Sequence, residues 1–396
     1  MKCKVTGKKI DPFMSFGRMP IANGFLNKDK FNEEFFFEME VGFSDDLSLF
    51  QLNDHPKPTM MFNENYPFFT GSSQQMKLHF KNYANWIKKY HPNTIKNIIE
   101  IGSNDGTFLK NFNSNDYNTL GFEPSNNVAE RASKDGVNTI NEFFNKNSVI
   151  NQKNFINNTD LICAANVICH VPDLNDLIQT VSLMLNKSGL FIFEEPYLGS
   201  MFEKISYDQI YDEHIFIFSV TSISKIFKLF DMELVDVFPQ TTHGGSMRYI
   251  TGRKNIHKIS DNVNTLLEKE KLKNLDNISS CNKFKNNCEL SKIKTRKSLL
   301  KFKDNNYKIA GYAATSKSTT ILNYCNINSK IIDYICDTTP EKIGKFSPGT
   351  HIPIVDMYHF KKFNPDVAYL FAWNHKDEIL KKEKNYKGKW FSHVAL

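Results

Sequence analysis

Asn97-Ile98-Ile99-Glu100-Ile101-Gly102-Ser103-Asn104-Asp105-Gly106-Thr107-Phe108-Leu109 is the stretch whose reading decides the fold. An apolar run closes on an acid, two glycines follow, and a helical pattern begins. That order is a strand, a tight turn and a helix start, and glycine in the turn lets the backbone approach a ligand closely. A second apolar piece ends at Phe122-Glu123-Pro124. It sets an acid about 20 residues past the turn, where a ribose diol would be held. A dinucleotide fingerprint wants G-x-G-x-x-G beneath a pyrophosphate, and Gly102-Ser103-Asn104 departs from it. Glu100 and Asp105 would repel phosphates and suit a cationic ligand.

Composition bounds the rest. A chain of 396 residues predicts two or three domains, each with its own core. Hydrophobic content of 40%, with 34 Phe and 15 Tyr, is that of a globular protein. No apolar run approaches the ~20 residues that span a bilayer, and Met1-Lys2-Cys3-Lys4-Val5-Thr6 lacks a secretory core. Seven scattered cysteines make no disulfide framework, which points to a reducing cytoplasm. The net charge is +7, and lysines do not interleave with aromatics along one stripe, which argues against a nucleic-acid binder. A mild positive field still favours a phosphorylated substrate.

The pattern divides the chain into a small aromatic, turn-rich N-terminal domain (1–80), a strand–helix alternation (81–255), and a helical connector with a second α/β pattern (256–396). In the middle part the spacing predicts strands over 97–101, 119–123, 137–142, 160–165 and 189–195. It predicts a helix over 173–185 that stops at Lys187-Ser188-Gly189. Two further strands, 232–238 and 247–252, can pair antiparallel at the edge of a parallel sheet. The connector carries Leu266, Leu267, Leu272, Leu299 and Leu300 as its buried side. The C-terminal part reads as strand 307–311, a helix near 319–325, then strands 330–335, 366–371 and 391–395.

Several segments could carry chemistry. Asn166 and His170 follow the fourth strand, where ligands of doubly wound sheets lie. Cys163 and Cys169 read as small core residues. Tyr211-Asp212-Glu213-His214 places a phenol, carboxylates and an imidazole together; a neutral histidine can accept a proton and a carboxylate can orient it. A metal would need a third ligand, and none appears at convincing spacing. His243-Gly244-Gly245-Ser246-Met247-Arg248 is either a hairpin turn or a polar wall of the same cleft. Gly311 to Thr319 forms a strand, turn and helix start with Lys317 on the turn, which favours a diphosphate. Its spacing is not that of an NTPase loop.

Taken in order, these segments resemble the sugar C-methyltransferases of deoxysugar biosynthesis, which use S-adenosylmethionine and a nucleotide-linked 4-keto sugar. The resemblance runs through PIANGFL (20–26), YPFFT (66–70), EIGSNDGTFL, NVICHVPDL, YDEHIFIFS and HGGSMRY. It continues through GYAATSKSTTILNYC, Asp337, SPGTHIPI (347–354) and WNH (373–375). It implies an α/β fold: a class I methyltransferase doubly wound sheet, a small N-terminal domain and a C-terminal Rossmann-like domain. By the same resemblance His214 is the base, with Tyr211 and Glu213 beside it. Glu100, Gly102, Asn104, Asp105, Gly106, Glu123, Pro124, Asn166 and His170 would hold the cofactor. Tyr66, Phe68, His243, Arg248, Lys317 and Asn374 would meet the nucleotide sugar. The protein would act as a monomer or homodimer, without nucleic acid or membrane insertion. Related enzymes bind a structural zinc through two C-x-x-C pairs. Here the pairs read Cys3…Thr6 and Ser44…Leu47, which predicts no zinc and an N-terminal domain held by aromatic packing. Asp212 stands where the family commonly has histidine, and Phe68 where it has tyrosine. O- or N-methylation of a sugar on the same scaffold, and a binding subunit without catalysis, are the alternative readings.

Overall fold

The computed structural model describes residues 1–395 except 65, 92, 113 and 114. Near the N-terminus, β1 (Pro12–Pro20), β2 (Phe36–Ser44) and β3 (Leu49–Leu52) run antiparallel. The central sheet takes β4 (Asn97–Ile101), β5 (Asn118–Phe122), β6 (Thr139–Ile140), β7 (Thr159–Ala165) and β8 (Leu185–Pro196). The chain then forms β9 (Phe216–Ile217), which leaves that sheet to pair with β3. It returns through β10 (Met232–Gln240) and β11 (Ser246–Arg253). The central order is β10-β11-β8-β7-β4-β5-β6, with β10 and β11 antiparallel and the other neighbours, β8 to β6, parallel. A third sheet holds β12 (Ile309–Tyr312), β13 (Tyr334–Cys336), β14 (Ile354–Val355), β15 (Val367–Leu370) and β16 (Lys389–Phe391), all parallel, in the order β14-β13-β12-β15-β16.

Burial on both faces explains the near-continuous apolar runs of β4, β7 and β8. Among the elements that differ from expectation, the helix Leu174–Met184 begins on the side-chain cap of Asp173 but does not stop at Lys187-Ser188-Gly189. Those residues already belong to β8, because pairing with β7 takes over one residue after the helix. The strand expected over 137–142 is only two residues long. In the connector, Leu272 and Leu300 are exposed, whereas Cys281, Phe284, Cys288, Thr295 and Leu299 form the buried stripe of the helix Ile278–Asp304. The 3.6-residue period is carried by cysteine and phenylalanine as well as leucine, so leucine positions alone misplace the face. No helix among the described residues is long and apolar enough to cross a membrane.

Candidate active site

The carboxyl ends of β4, β5 and β7 open into a cleft of ≈1240 Å³ that the N-terminal segment and the third sheet complete. Gly102 sits at φ 65°, and a Cβ there would lie 2.5 Å from Val167, so no larger residue fits the turn. Glu123 is buried; its Oε2 accepts from the Asn104 N–H at 3.0 Å and its Oε1 from the Ser125 N–H at 2.8 Å. Burial raises its pKa, against those bonds. The Glu100 carboxyl is pushed well above the usual range, by burial first and then by the charges of Asp105 and Glu123. Glu100 Oε2, Ser103 Oγ and Asn166 Oδ1 are buried on the cleft wall with no hydrogen-bond partner, the condition of polar atoms that await a ligand. Pro124 and Asn104 line the same wall.

Asp105 and Gly106 do not line it. The Asp105 carboxylate accepts from the Gly71 N–H (2.7 Å) and from Thr107 Oγ1 (2.6 Å), and Gly106 packs on Val137. Both were expected to touch the cofactor; in the structure Asp105 clamps segment 70–72 to the turn and Gly106, at φ 74°, shapes the turn itself. Asn104 completes that clamp, its Oδ1 accepting from Thr70 N–H and its Nδ2 donating to Phe68 O.

The loop after β8 supplies the reactive groups. His214 is 5% exposed. Its Nδ1 lies 2.7 Å from Gln209 O, a carbonyl that can only accept, so Nδ1 carries the proton. Nε2 therefore presents its lone pair, and Tyr211 Oη donates to it at 2.8 Å. Burial, with the neighbouring His170, holds the imidazole pKa well below its ordinary value, so the ring is neutral at working pH. Glu213 accepts from Asn23 Nδ2 at 2.7 Å; burial pushes its pKa up to about 7, opposed by that bond and by Lys342. Asp212 faces away from the cleft chemistry: both its oxygens accept the Ala22 N–H (3.1 and 3.2 Å), and Ala22 O accepts Thr319 Oγ1. The acid at this position thus ties segment 20–26 to the helix Ser316–Tyr324.

His170 stacks between Phe62 and His214, ring centroids 5.7 and 5.3 Å away, with Nε2 unpartnered and its pKa pushed down to about 3 by burial. His243 Nε2 accepts from Asn166 Nδ2 at 3.0 Å. Tyr66 and Phe68 line the cleft from the N-terminal side, and Lys317 and Asn374 from the C-terminal side, joined by a 3.2 Å hydrogen bond. Asn23, Lys342 and His375 line it as well and had been missed. Asn23 lies inside a segment already singled out, whereas Lys342 carries no local sequence signal. Arg248 is a correction. Its guanidinium donates to Glu194 Oε1 (2.8 and 2.5 Å) and lies over Tyr83 and Trp86, while Glu194 Oε2 meets His79 at 2.6 Å. The antiparallel register of β11 on β8 sets Arg248 opposite Glu194, and its side chain does not line the cleft.

Residues 76–237 match a family described as "Methyltransferase domain", and residues 241–394 match "C-methyltransferase C-terminal domain". The chain is a C-methyltransferase of the S-adenosylmethionine-dependent class. Residues 3–62 match "Putative zinc binding domain", so the three matched regions together span most of the C-methyltransferase. It is 26% identical over 390 residues to the C-methyltransferase NovU of Streptomyces niveus, covering 97% of this chain and 92% of that protein. Two solved methyltransferases each overlap just under half of it. One from Clostridium acetobutylicum shares 13% identity over 47% of this chain and 94% of its own, with a TM-score of 0.36. One from Leishmania major shares 15% over 46% and 74%, with a TM-score of 0.37. The C-methyltransferase assignment rests on the family matches and the NovU relative, with these partial likenesses carrying none of it. The unpartnered Glu100, Ser103 and Asn166 atoms fit S-adenosylmethionine, whose amino and hydroxyl groups can donate to them.

A zinc ion does not fit the N-terminal region. Cys3 is the single cysteine of residues 3–62. Its thiol packs with Val5, Leu47 and Leu49, and Gln51 bridges Lys2 O and Lys4 N–H where the loop would need a metal to hold it. Aromatic packing is therefore only part of what holds this region: Phe13 lies edge-on to Phe50 in a second cluster, apart from the aliphatic one around Cys3. Among the described residues, Cys169, His170 and His214 do bring three ligand atoms within 4.8 Å, the third ligand that sequence spacing had not shown. Both His214 nitrogens are already engaged, and burial drives the Cys169 thiol pKa up, away from the thiolate that binds metal. Dialysis against EDTA is expected to leave methyl transfer and the thermal midpoint unchanged. Loss of either, restored by zinc, would contradict this.

Proposed function

We propose that this C-methyltransferase adds a methyl group to the carbon beside the ketone of a nucleotide-linked 4-keto sugar. One observation carries the reading: a neutral imidazole with its Nε2 lone pair capped by a phenol, in the cleft that also holds Glu123 and Lys317. A ketone acidifies the neighbouring C–H, and His214 Nε2 takes that proton. Nε2 has one lone pair, so the Tyr211 O–H first leaves it for the ketone oxygen; the freed Nε2 then takes the proton while the phenol stabilises the enolate oxygen. S-Adenosylmethionine supplies the electrophilic methyl. Glu100, Gly102, Asn104, Glu123, Pro124, Asn166 and His170 would hold the cofactor side. Tyr66, Phe68, His243, Lys317 and Asn374 would hold the sugar side, with Glu213 orienting a sugar hydroxyl. Burial lowers the Lys317 pKa, opposed by the charge of Asp208, and an ammonium there would suit a diphosphate.

The test is the product. Incubation with S-adenosylmethionine labelled with ¹³C in the methyl group and a nucleoside-diphosphate 4-keto sugar is expected to give a label bonded to ring carbon. A label on oxygen or nitrogen would replace this reading with O- or N-methylation.

A further inference from the structure

The central and C-terminal sheets share one strand order, β6-β5-β4-β7-β8 and β14-β13-β12-β15-β16, and the likeness extends to single hydrogen bonds. After β4, the Ser103 N–H donates to Phe122 O and the Asn104 N–H to Glu123 Oε2, both at 3.0 Å. After β12, the Ala313 N–H donates to Cys336 O at 2.9 Å and the Ala314 N–H to Asp337 Oδ2 at 2.7 Å. Each acid's other oxygen accepts the N–H two residues on, from Ser125 and from Thr339, both at 2.8 Å. Each acid's own N–H donates to the next strand at 3.0 Å, to Ile140 O and Val355 O. Ala313 takes φ 71° to make this turn, a left-handed conformation unusual for a residue with a Cβ. Both acids are nearly buried, 5% and 7% exposed, and both line the one cleft.

The frame is repeated and its charge is inverted. Glu100 and Asp105 flank the first turn, whereas Lys317 and Lys342 flank the second, Lys342 Nζ donating to Ala314 O at 2.8 Å. We propose that Asp337 holds a furanose hydroxyl of the substrate's nucleoside, as Glu123 would hold that of the cofactor. The second turn thereby selects a nucleoside bearing an anionic group. The inference rests on the nucleotide-sugar reading of this site. A carboxylate has about four acceptor positions, and two backbone donors leave Asp337 capacity for a hydroxyl.

The experiment is isothermal titration calorimetry on the full chain with uridine, cytidine, guanosine and thymidine diphosphates, and separately with S-adenosylhomocysteine. At least one diphosphate is expected to bind. Asp337→Asn should weaken it about tenfold or more, as loss of a hydrogen bond to a charged group does, and leave S-adenosylhomocysteine within about twofold. The matching dideoxy diphosphate should lose a similar factor on the unaltered protein, a measurement that needs no variant. Parent-like binding of the dideoxy probe, or of the diphosphate to Asp337→Asn, overturns the role of Asp337 while the nucleotide-sugar reading stands. Failure of every diphosphate to bind the unaltered protein overturns that reading and this inference together.

Discussion

Replacing His214 with asparagine is expected to lower kcat by about 10²–10⁴-fold, the range a placed general base contributes. Asparagine can occupy the site and still donate toward Gln209 O, but it has no lone pair of useful basicity to offer where Nε2 now meets Tyr211. On the proposed mechanism the loss belongs in kcat, because the imidazole would act on the reacting carbon and not on the nucleotide. Steady-state kinetics with both substrates varied separate the two, and an unchanged S-adenosylhomocysteine affinity shows that the fold has survived. A depressed histidine pKa makes a weak base in the free protein. On the proposed mechanism the substrate strengthens it, since negative charge developing beside the ring would favour the imidazolium.

Arg248→Met should cost about 3–5 kcal/mol of stability, the penalty for leaving a buried charge without its partner. Burial alone would raise the Glu194 pKa; the hydrogen bond from His79 and the charge of Arg248 outweigh it and hold the carboxyl low. A carboxyl with a lowered folded-state pKa stabilises the protein above its unfolded pKa, and that contribution fades as acid takes the pH down through the folded value. The variant also loses the guanidinium from the faces of Tyr83 and Trp86. Thermal unfolding at neutral pH measures the effect. The paired change Glu194→Met with Arg248→Met should recover part of it, since an apolar pair leaves no orphan charge. Folded Arg248→Met protein should keep its KM for the sugar nucleotide, and a large rise in KM would return Arg248 to the substrate.

Much of this site was legible because its signals are local. The turn after β4, the acid at the end of β5 and the Tyr211–His214 segment each declare themselves within a dozen residues, and a doubly wound sheet converges them at its strand ends. What was not legible depends on partners distant in sequence. Arg248 was read from its glycine neighbours, while its register against Glu194 and the approach of His79 are settled by sheet pairing and by the helix Gln74–Tyr90. Asp105 looked like a ligand because of its charge, yet the N–H it serves is on Gly71, in a segment the sequence left without structure. Lys342 comes to the cleft only through the order of the third sheet, which no spacing announces, whereas Asp337 was picked out by resemblance without a role.

Solvent exchange reaches the central claim most directly. The protein, loaded with S-adenosylhomocysteine so that no methyl can transfer, is incubated in deuterium oxide with a nucleoside-diphosphate 4-keto sugar. Deuterium should enter the carbon beside the ketone with the native protein and not with His214→Asn. Equal exchange by the two would contradict the account, because the proton would then leave by a route that does not pass through His214.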